Sequence, residues 1–176
     1  MIELFTRARV IGLAITAAIF AVDQWLKWLV ITPLGLREVQ VIELLPIFGL
    51  RYTENRGVSL GMFEATSTEM RWMLVGLTAA IALVVLVWMF RERKLGDIAG
   101  LAMILGGALG NIVDRYNLGY VIDYADLHFG DFRPFLIFNL ADAAITIGVV
   151  IILARSFLLR EKDRETDEPA VEPAES

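Results

Sequence analysis

Residues 134–154 read PFLIFNLADAAITIGVVIILA. A bilayer crossing takes about 20 mostly apolar residues. This run is that long, and Asp142 is its only charge. A carboxylate at the centre of a membrane helix costs about 2.5–3.5 kcal/mol on insertion scales, so one that stays serves a partner, transport or chemistry. A second aspartate, Asp123, lies upstream in the apolar stretch Gly119-Tyr120-Val121-Ile122-Asp123-Tyr124. Pro134 suits the first position of a helix. Asp142 is then expected eight residues further on, about 12 Å along the span.

Working outward, three more spans are expected, over about 10–31, 70–90 and 98–113. The chain is 57% hydrophobic, above the roughly 45–50% of soluble domains. The excess falls in long runs, which points to a membrane protein rather than a large soluble core. A cleavable leader at the N-terminus is disfavoured, because the first run is too long and further spans follow. Arg7 and Arg9 precede span one, Arg91, Arg93 and Lys94 crowd the turn between spans two and three, and Arg155, Arg160, Lys162 and Arg164 follow span four. Basic residues in short segments mark the cytoplasmic side. Both termini are therefore expected inside, and the segments about 34–69 and 114–133 outside.

The net charge of −5 belongs to one end. Residues 161–176 hold seven acids and two bases, and the other 14 bases and 14 acids cancel. One membrane-embedded unit over 1–160 and a disordered acidic cytoplasmic tail over 161–176 are expected. There is no cysteine, which excludes disulfides, a thiol nucleophile and thiolate metal sites. No basic stripe suggests nucleic acid.

The first outer segment alternates polar and apolar residues in Arg37-Glu38-Val39-Gln40-Val41-Ile42-Glu43, and more loosely from Phe48 to Thr53. Two short strands are expected, within an outer β segment of about 35–62 lying on the membrane surface. Asn55-Arg56-Gly57 reads as a turn.

The remaining polar residues converge by spacing. Gly106 and Gly110 allow close helix approach. Asn111 and Arg115, four apart, share a helical face with Asp114 beside them, and Asn139 and Asp142, three apart, share another. Asp23 and Lys27, also four apart, form either a structural ion pair or part of the site. His128, the sole histidine, excludes a two-histidine zinc site and is expected to be an interfacial loop residue. Ser59 with Lys27 is a weaker alternative. No metal or cofactor is expected. Two carboxylates held close share a proton. One can then activate water while the other protonates a carbonyl, as in peptide hydrolysis. Intramembrane acids also serve proton-coupled transporters, and the residues alone leave that reading open.

Five motifs carry a resemblance over about residues 23–148. They are Asp23-Gln24-Trp25-Leu26-Lys27, Asn55-Arg56-Gly57-Val58-Ser59-Leu60-Gly61, Gly106-Gly107-Ala108-Leu109-Gly110-Asn111-Ile112-Val113-Asp114-Arg115, Gly119-Tyr120-Val121-Ile122-Asp123-Tyr124 and Phe138-Asn139-Leu140-Ala141-Asp142. Together they resemble the bacterial lipoprotein signal peptidases, or type II signal peptidases. The resemblance implies a mainly α membrane protein of four transmembrane helices with a small extracytoplasmic β-cradle. It implies an aspartyl protease of the cytoplasmic membrane that cuts prolipoproteins before a diacylglyceryl-modified cysteine. Asp123 and Asp142 fall on its catalytic positions. Asn55, Gly57, Asn111, Arg115, Asn139, Asp23 and Lys27 fall on substrate-binding or supporting positions. Membrane lipid and globomycin-type inhibitors are the implied further partners, and a monomer is expected. Ser59-Leu60 stands where the family has Ala-Phe, and Tyr124 where it has Phe. Altered peptide or inhibitor preference is the expected consequence.

Overall fold

Four long helices carry the chain in the computed structural model, which describes residues 6–57, 68–130 and 132–167. Helix α1 spans Arg7–Ile31, α3 Thr68–Arg91, α4 Leu95–Asn117 and α5 Leu140–Asp167. Each holds a stretch long and apolar enough to cross a membrane, with α5 qualifying over Leu140–Leu158. A one-turn helix α2 (Leu36–Val39) and strands β1 (Val41–Leu45), β2 (Phe48–Asn55) and β3 (Val121–Leu127) complete the fold. The strands form one antiparallel sheet in the order β1-β2-β3.

Helix α4 is the centre of the bundle and its most buried member. Small residues let its neighbours close in. A side chain at Gly106 would run into Thr16 and Ile19 of α1, and one at Gly107 into the Ala141 carbonyl of α5. The Thr16 hydroxyl adds an interhelical hydrogen bond to the Ala102 carbonyl, at 3.2 Å. Below, Met89, Ile98, Leu101 and Ala102 form the apolar core of the membrane part. At the C-terminal end of α4 the carbonyls of Arg115 (2.8 Å) and Tyr116 accept from Arg71 of α3, a cation placed where the helix dipole is negative. Gly119, at φ +89°, then makes the left-handed step that turns the chain from α4 into β3.

Three expectations change here. The alternating stretch 37–43 is not one strand. Gln40 sits at φ 66°, which breaks the extended run, so residues 36–39 curl into α2 and pairing begins at Val41. The fourth span starts at Leu140, not Pro134, because residues before it serve the sheet. Phe138 exchanges backbone hydrogen bonds with Ala125 of β3 in both directions, at 2.7 and 3.1 Å. Helix α5 also runs on through residues 161–167, the first part of the expected disordered tail. Residues 168–176 lie outside the described residues, as do Ser59 and Leu60. Strand β3 was not anticipated as a strand.

Candidate active site

Asp123 is held by β3 and Asp142 by the first turn of α5. The Asn139 side chain accepts from the Asp142 backbone N–H at 2.9 Å. The Asp142 carboxylate in turn accepts from the Asn139 N–H at 3.2 Å. This reciprocal cap occupies two of the donors that a helix start leaves open. The three-residue spacing of Asn139 and Asp142 is therefore a helix cap, not two neighbours deep in a span. It places Asp142 at the positive end of the α5 dipole.

Amides join the two aspartates. Asn139 Nδ2 donates to Asp123 Oδ1 at 2.7 Å, and Asn55 Nδ2, from the end of β2, donates to Asp123 Oδ2 at 3.0 Å. Asn111 Nδ2 donates to Asp142 Oδ1 at 2.8 Å, while its Oδ1 accepts from Asn139 at 3.3 Å. Asp123 is 2% exposed. Burial first, then the neighbouring charge of Asp142, pushes its carboxyl up to about 7. The amides favour its ionised form but carry no charge, and they do not outweigh these effects.

Asp23 and Lys27 lie one layer further in, and their role widens. The Lys27 ammonium is 2.8 Å from both Asp23 and Asp114, and all three side chains are buried. Lys27 also donates to Asn111 Oδ1 at 3.3 Å. Asp23 Oδ1 accepts the Ala141 N–H at 3.0 Å, which fixes the first turn of α5. Asp114 Oδ2 accepts the Ile122 N–H at 3.2 Å, which fixes β3 one residue before Asp123. Gln24 spans this knot, donating to Asp23, Asp114 and the Gly110 carbonyl. One ammonium thus ties down the backbone that carries both aspartates. Asp114 and Gln24 were not among the expected site residues. Asp114 was legible as a neighbour of Asn111 at helical spacing, whereas nothing in the sequence marks Gln24.

Gly57 and Arg115 meet at the mouth. Gly57 N–H donates to Asn55 Oδ1 at 3.2 Å, a local turn that aims the Asn55 amide at Asp123. Arg115 Nη2 donates to the Gly57 carbonyl at 3.3 Å. The Arg115 guanidinium faces the charges of Asp142, Asp123 and Asp114. Its buried Nε has no hydrogen-bond partner among the described residues. His128 lies in the loop just after β3. It is 8% exposed, between Asp126 and Glu43 at the far end of the sheet.

The family model described as signal peptidase (SPase) II matches residues 15–158, which include every polar group of this cluster. The chain belongs to the signal peptidase II family. It is 52% identical over 162 residues to the lipoprotein signal peptidase of Sphingopyxis alaskensis, covering 92% of this chain and 94% of that one. It is 49% identical over 153 residues to that of Rhizorhabdus wittichii, covering 87% and 89%. The fold matches a bacterial membrane enzyme solved by the in meso method at 2.3 Å, with TM-score 0.72 and 23% identity over 93% of this chain and 94% of that one. A second, solved at 1.9 Å, gives TM-score 0.69 and 26% identity over 82% and 90%. The chain is a multi-pass bacterial membrane protein and a protease whose substrates are prolipoproteins. A signal peptidase II leaves no support for the transporter reading.

Proposed function

We propose that this signal peptidase II works as an aspartyl endopeptidase with Asp123 and Asp142 as its dyad, cutting before the diacylglyceryl-modified cysteine. The observation that carries the reading is Asn139, whose one side chain bonds Asp123 and caps the turn that holds Asp142. Two carboxylates are thereby presented together on rigid elements, joined by neutral amides. The raised carboxyl of Asp123 suits it to hold the shared proton, which leaves Asp142, at the start of α5, as the base. Asp142 takes a proton from water as the oxygen attacks the scissile carbonyl. Asp123 gives its proton to the carbonyl oxygen, and a gem-diol forms with no covalent enzyme intermediate. Its collapse breaks the C–N bond: the proton on Asp142 passes to the leaving amine, while Asp123 takes a proton back from one gem-diol hydroxyl as the carboxyl product forms, which restores the dyad.

Asn55, Asn111 and Asn139 hold the two acids. Asp23 and Lys27 hold the backbone behind them. Arg115, with an unused N–H near Gly57, is placed to take a substrate carbonyl. The basic residues of the short segments support an orientation with both termini cytoplasmic. The dyad is then near the outer face, where the scissile bond must lie if the acyl chains on the cysteine stay in lipid. Globomycin-type inhibitors would occupy this same site, and a single copy holds every residue named.

The test is cleavage of a diacylglyceryl-modified prolipoprotein by purified wild type, Asp123→Asn and Asp142→Asn, with a melting curve for each. The expected result is a cut before the lipidated cysteine that vanishes in both folded variants. Full activity in either variant would sink the dyad.

A further inference from the structure

Glu54 stands beside Asn55 at the end of β2, and side chains alternate across a strand. Asn55 reaches Asp123 on one face, so Glu54 points to the other. There it gathers partners from several parts of the fold. The Tyr52 hydroxyl donates to Glu54 Oε1 at 3.1 Å and lies 3.2 Å from the Tyr120 hydroxyl at the entry to β3. Arg56 Nη2 donates to Glu54 Oε2 at 2.5 Å, and its guanidinium sits over the Tyr120 ring, 5.3 Å from the centroid. Arg37 of α2 is 3.7 Å from Glu54 Oε1 and 5.9 Å from the Tyr52 ring centroid. Burial tends to raise the Glu54 carboxyl. Hydrogen bonds from Arg56 and Tyr52, with the charges of Arg56 and Arg37, outweigh it and hold the carboxyl below the usual range.

Stability does not account for this arrangement. The Arg37 and Arg56 side chains are more than half exposed, and ion pairs so exposed are worth little. What the cluster fixes is geometry. Arg56 is the middle residue of the Asn55-Arg56-Gly57 turn, and it is gripped by Glu54 and Tyr120. The Gly57 N–H closes that turn on Asn55 Oδ1 at 3.2 Å, which leaves Asn55 Nδ2 to donate to Asp123 Oδ2 at 3.0 Å. Of the two amides on Asp123, Asn139 is set by the start of α5. Asn55 sits at a strand end, and the turn is what aims it.

We infer that Glu54, acting through Arg56, is a positioning residue for the peptidase reaction: it clamps the turn so that the Asn55 amide stays on Asp123. This role rests on the dyad reading of Asp123 and Asp142. Because the Asn55 bond favours ionised Asp123, a loosened turn lets that carboxyl rise further. The alkaline limb of the rate profile, where the general acid is lost, then moves to higher pH. The other groups facing Asp123 are Asp142 of α5, Lys27 of α1, Arg115 of α4 and Tyr124 of its own strand, and they are the same in every clamp variant.

The test follows cleavage of a diacylglyceryl-modified prolipoprotein against pH in wild type, Glu54→Ala, Arg56→Ala and the double variant. Asn55→Ala serves as the reference for a lost amide. The protonated-carboxyl infrared band that Asp123→Asn removes is titrated in the same proteins. The expected result is a several-fold fall in kcat in each single variant, with KM little changed. The alkaline limb and the infrared midpoint should both move up, no further than in Asn55→Ala. The double variant should match the single ones, because two residues of one device do not add, and Arg56→Lys should recover part of the rate. A wild-type profile in Arg56→Ala would overturn the clamp, as would a change confined to KM or losses that multiply in the double variant. Should Glu54→Ala fail to fold, Arg56→Ala decides alone, since it alters an exposed side chain. The infrared band reads Asp123 without turnover. An unmoved midpoint sinks the clamp whatever the fate of the dyad, and a moved one beside an Asp123→Asn protein that still cleaves sinks the dyad alone.

Discussion

Strand β3 carries two aspartates three positions apart, Asp123 and Asp126, each 2% exposed. They point to opposite faces of the sheet, and their carboxyls move in opposite directions. Burial tends to raise both. At Asp126, hydrogen bonds and charge from Arg133 and Arg51 outweigh it and hold the carboxyl below the usual range. At Asp123 the donors are the neutral amides of Asn55 and Asn139, and the nearby charge of Asp142 has the same sign, so the carboxyl rises to about 7. The same residue on the same strand, equally closed to solvent, is locked as an anion in one place and left able to carry a proton in the other. Burial is the largest single cause at both, and cationic partners reverse it only at Asp126. An aspartate saturated by cations is held as an anion, and an aspartate held by neutral amides can keep a proton.

The sharpest way to break this contrast is to neutralise each aspartate in turn. Asp123→Asn is expected to cost at least about 10²-fold in cleavage, the usual scale of a lost general acid or base, with little loss of stability. Asp126→Asn should do the reverse. It leaves two guanidiniums without their carboxylate, but Arg51 and Arg133 are more than a third exposed and water takes up part of the loss. About 1–2 kcal/mol of stability is expected to go, with cleavage per folded molecule little changed. A silenced but stable Asp126→Asn protein would mean that the distal cluster also shapes the dyad.

A second contrast is between the two ionic knots. Lys27 is 3% exposed between Asp23 and Asp114, and water cannot replace it. Lys27→Met strands two buried carboxylates and is expected to cost about 3–5 kcal/mol. Arg133→Met leaves Arg51 on Asp126 and should cost within about 1 kcal/mol. Thermal unfolding of both variants in one detergent measures the difference. Equal losses would mean that the α1–α4 knot is more hydrated than its burial implies.

Most of this architecture was legible because membrane sequence is constrained. The four spans follow from run length, and Asp123 and Asp142 stand out because charge is rare among apolar residues. The legible features are those whose signal is local. Asp142 was misplaced by two helical turns because hydropathy cannot tell an apolar residue in a span from one in a strand-paired approach to it. Phe138 belongs to the approach, and the competing signal was the Asn139 cap, which outranks Pro134 as a helix start. Asp114 and Gln24 were underread because their partners are some 90 residues away in sequence. Asp126 was not singled out, since nothing in the sequence pattern pairs it with Arg51 and Arg133. Long-range pairing of this kind is a property of the fold.

The smallest effect, and the finest test of the contrast, is in the pH dependence of stability. The Asp123 carboxyl lies at about 7 in the native protein and near 3.8 in the unfolded chain. Between those values the unfolded chain has released a proton that the native protein retains, so stability falls as pH rises through the window and levels above it. For Asp126 the native value is the lower one. Its contribution is present above 3.8 and is lost as pH falls below that. Melting temperatures recorded against pH should therefore lose their downward slope between 3.8 and about 7 in Asp123→Asn. Asp126→Asn should instead lose part of the acid-side decline. An unchanged slope in Asp123→Asn would place the titration elsewhere. Asp142→Asn separates the two causes of the rise. Burial stays and the neighbouring charge goes, so the upper edge of the window should move below 7 without reaching 3.8. An edge that stays in place would make burial the whole cause, and the two acids would then not act as a coupled pair.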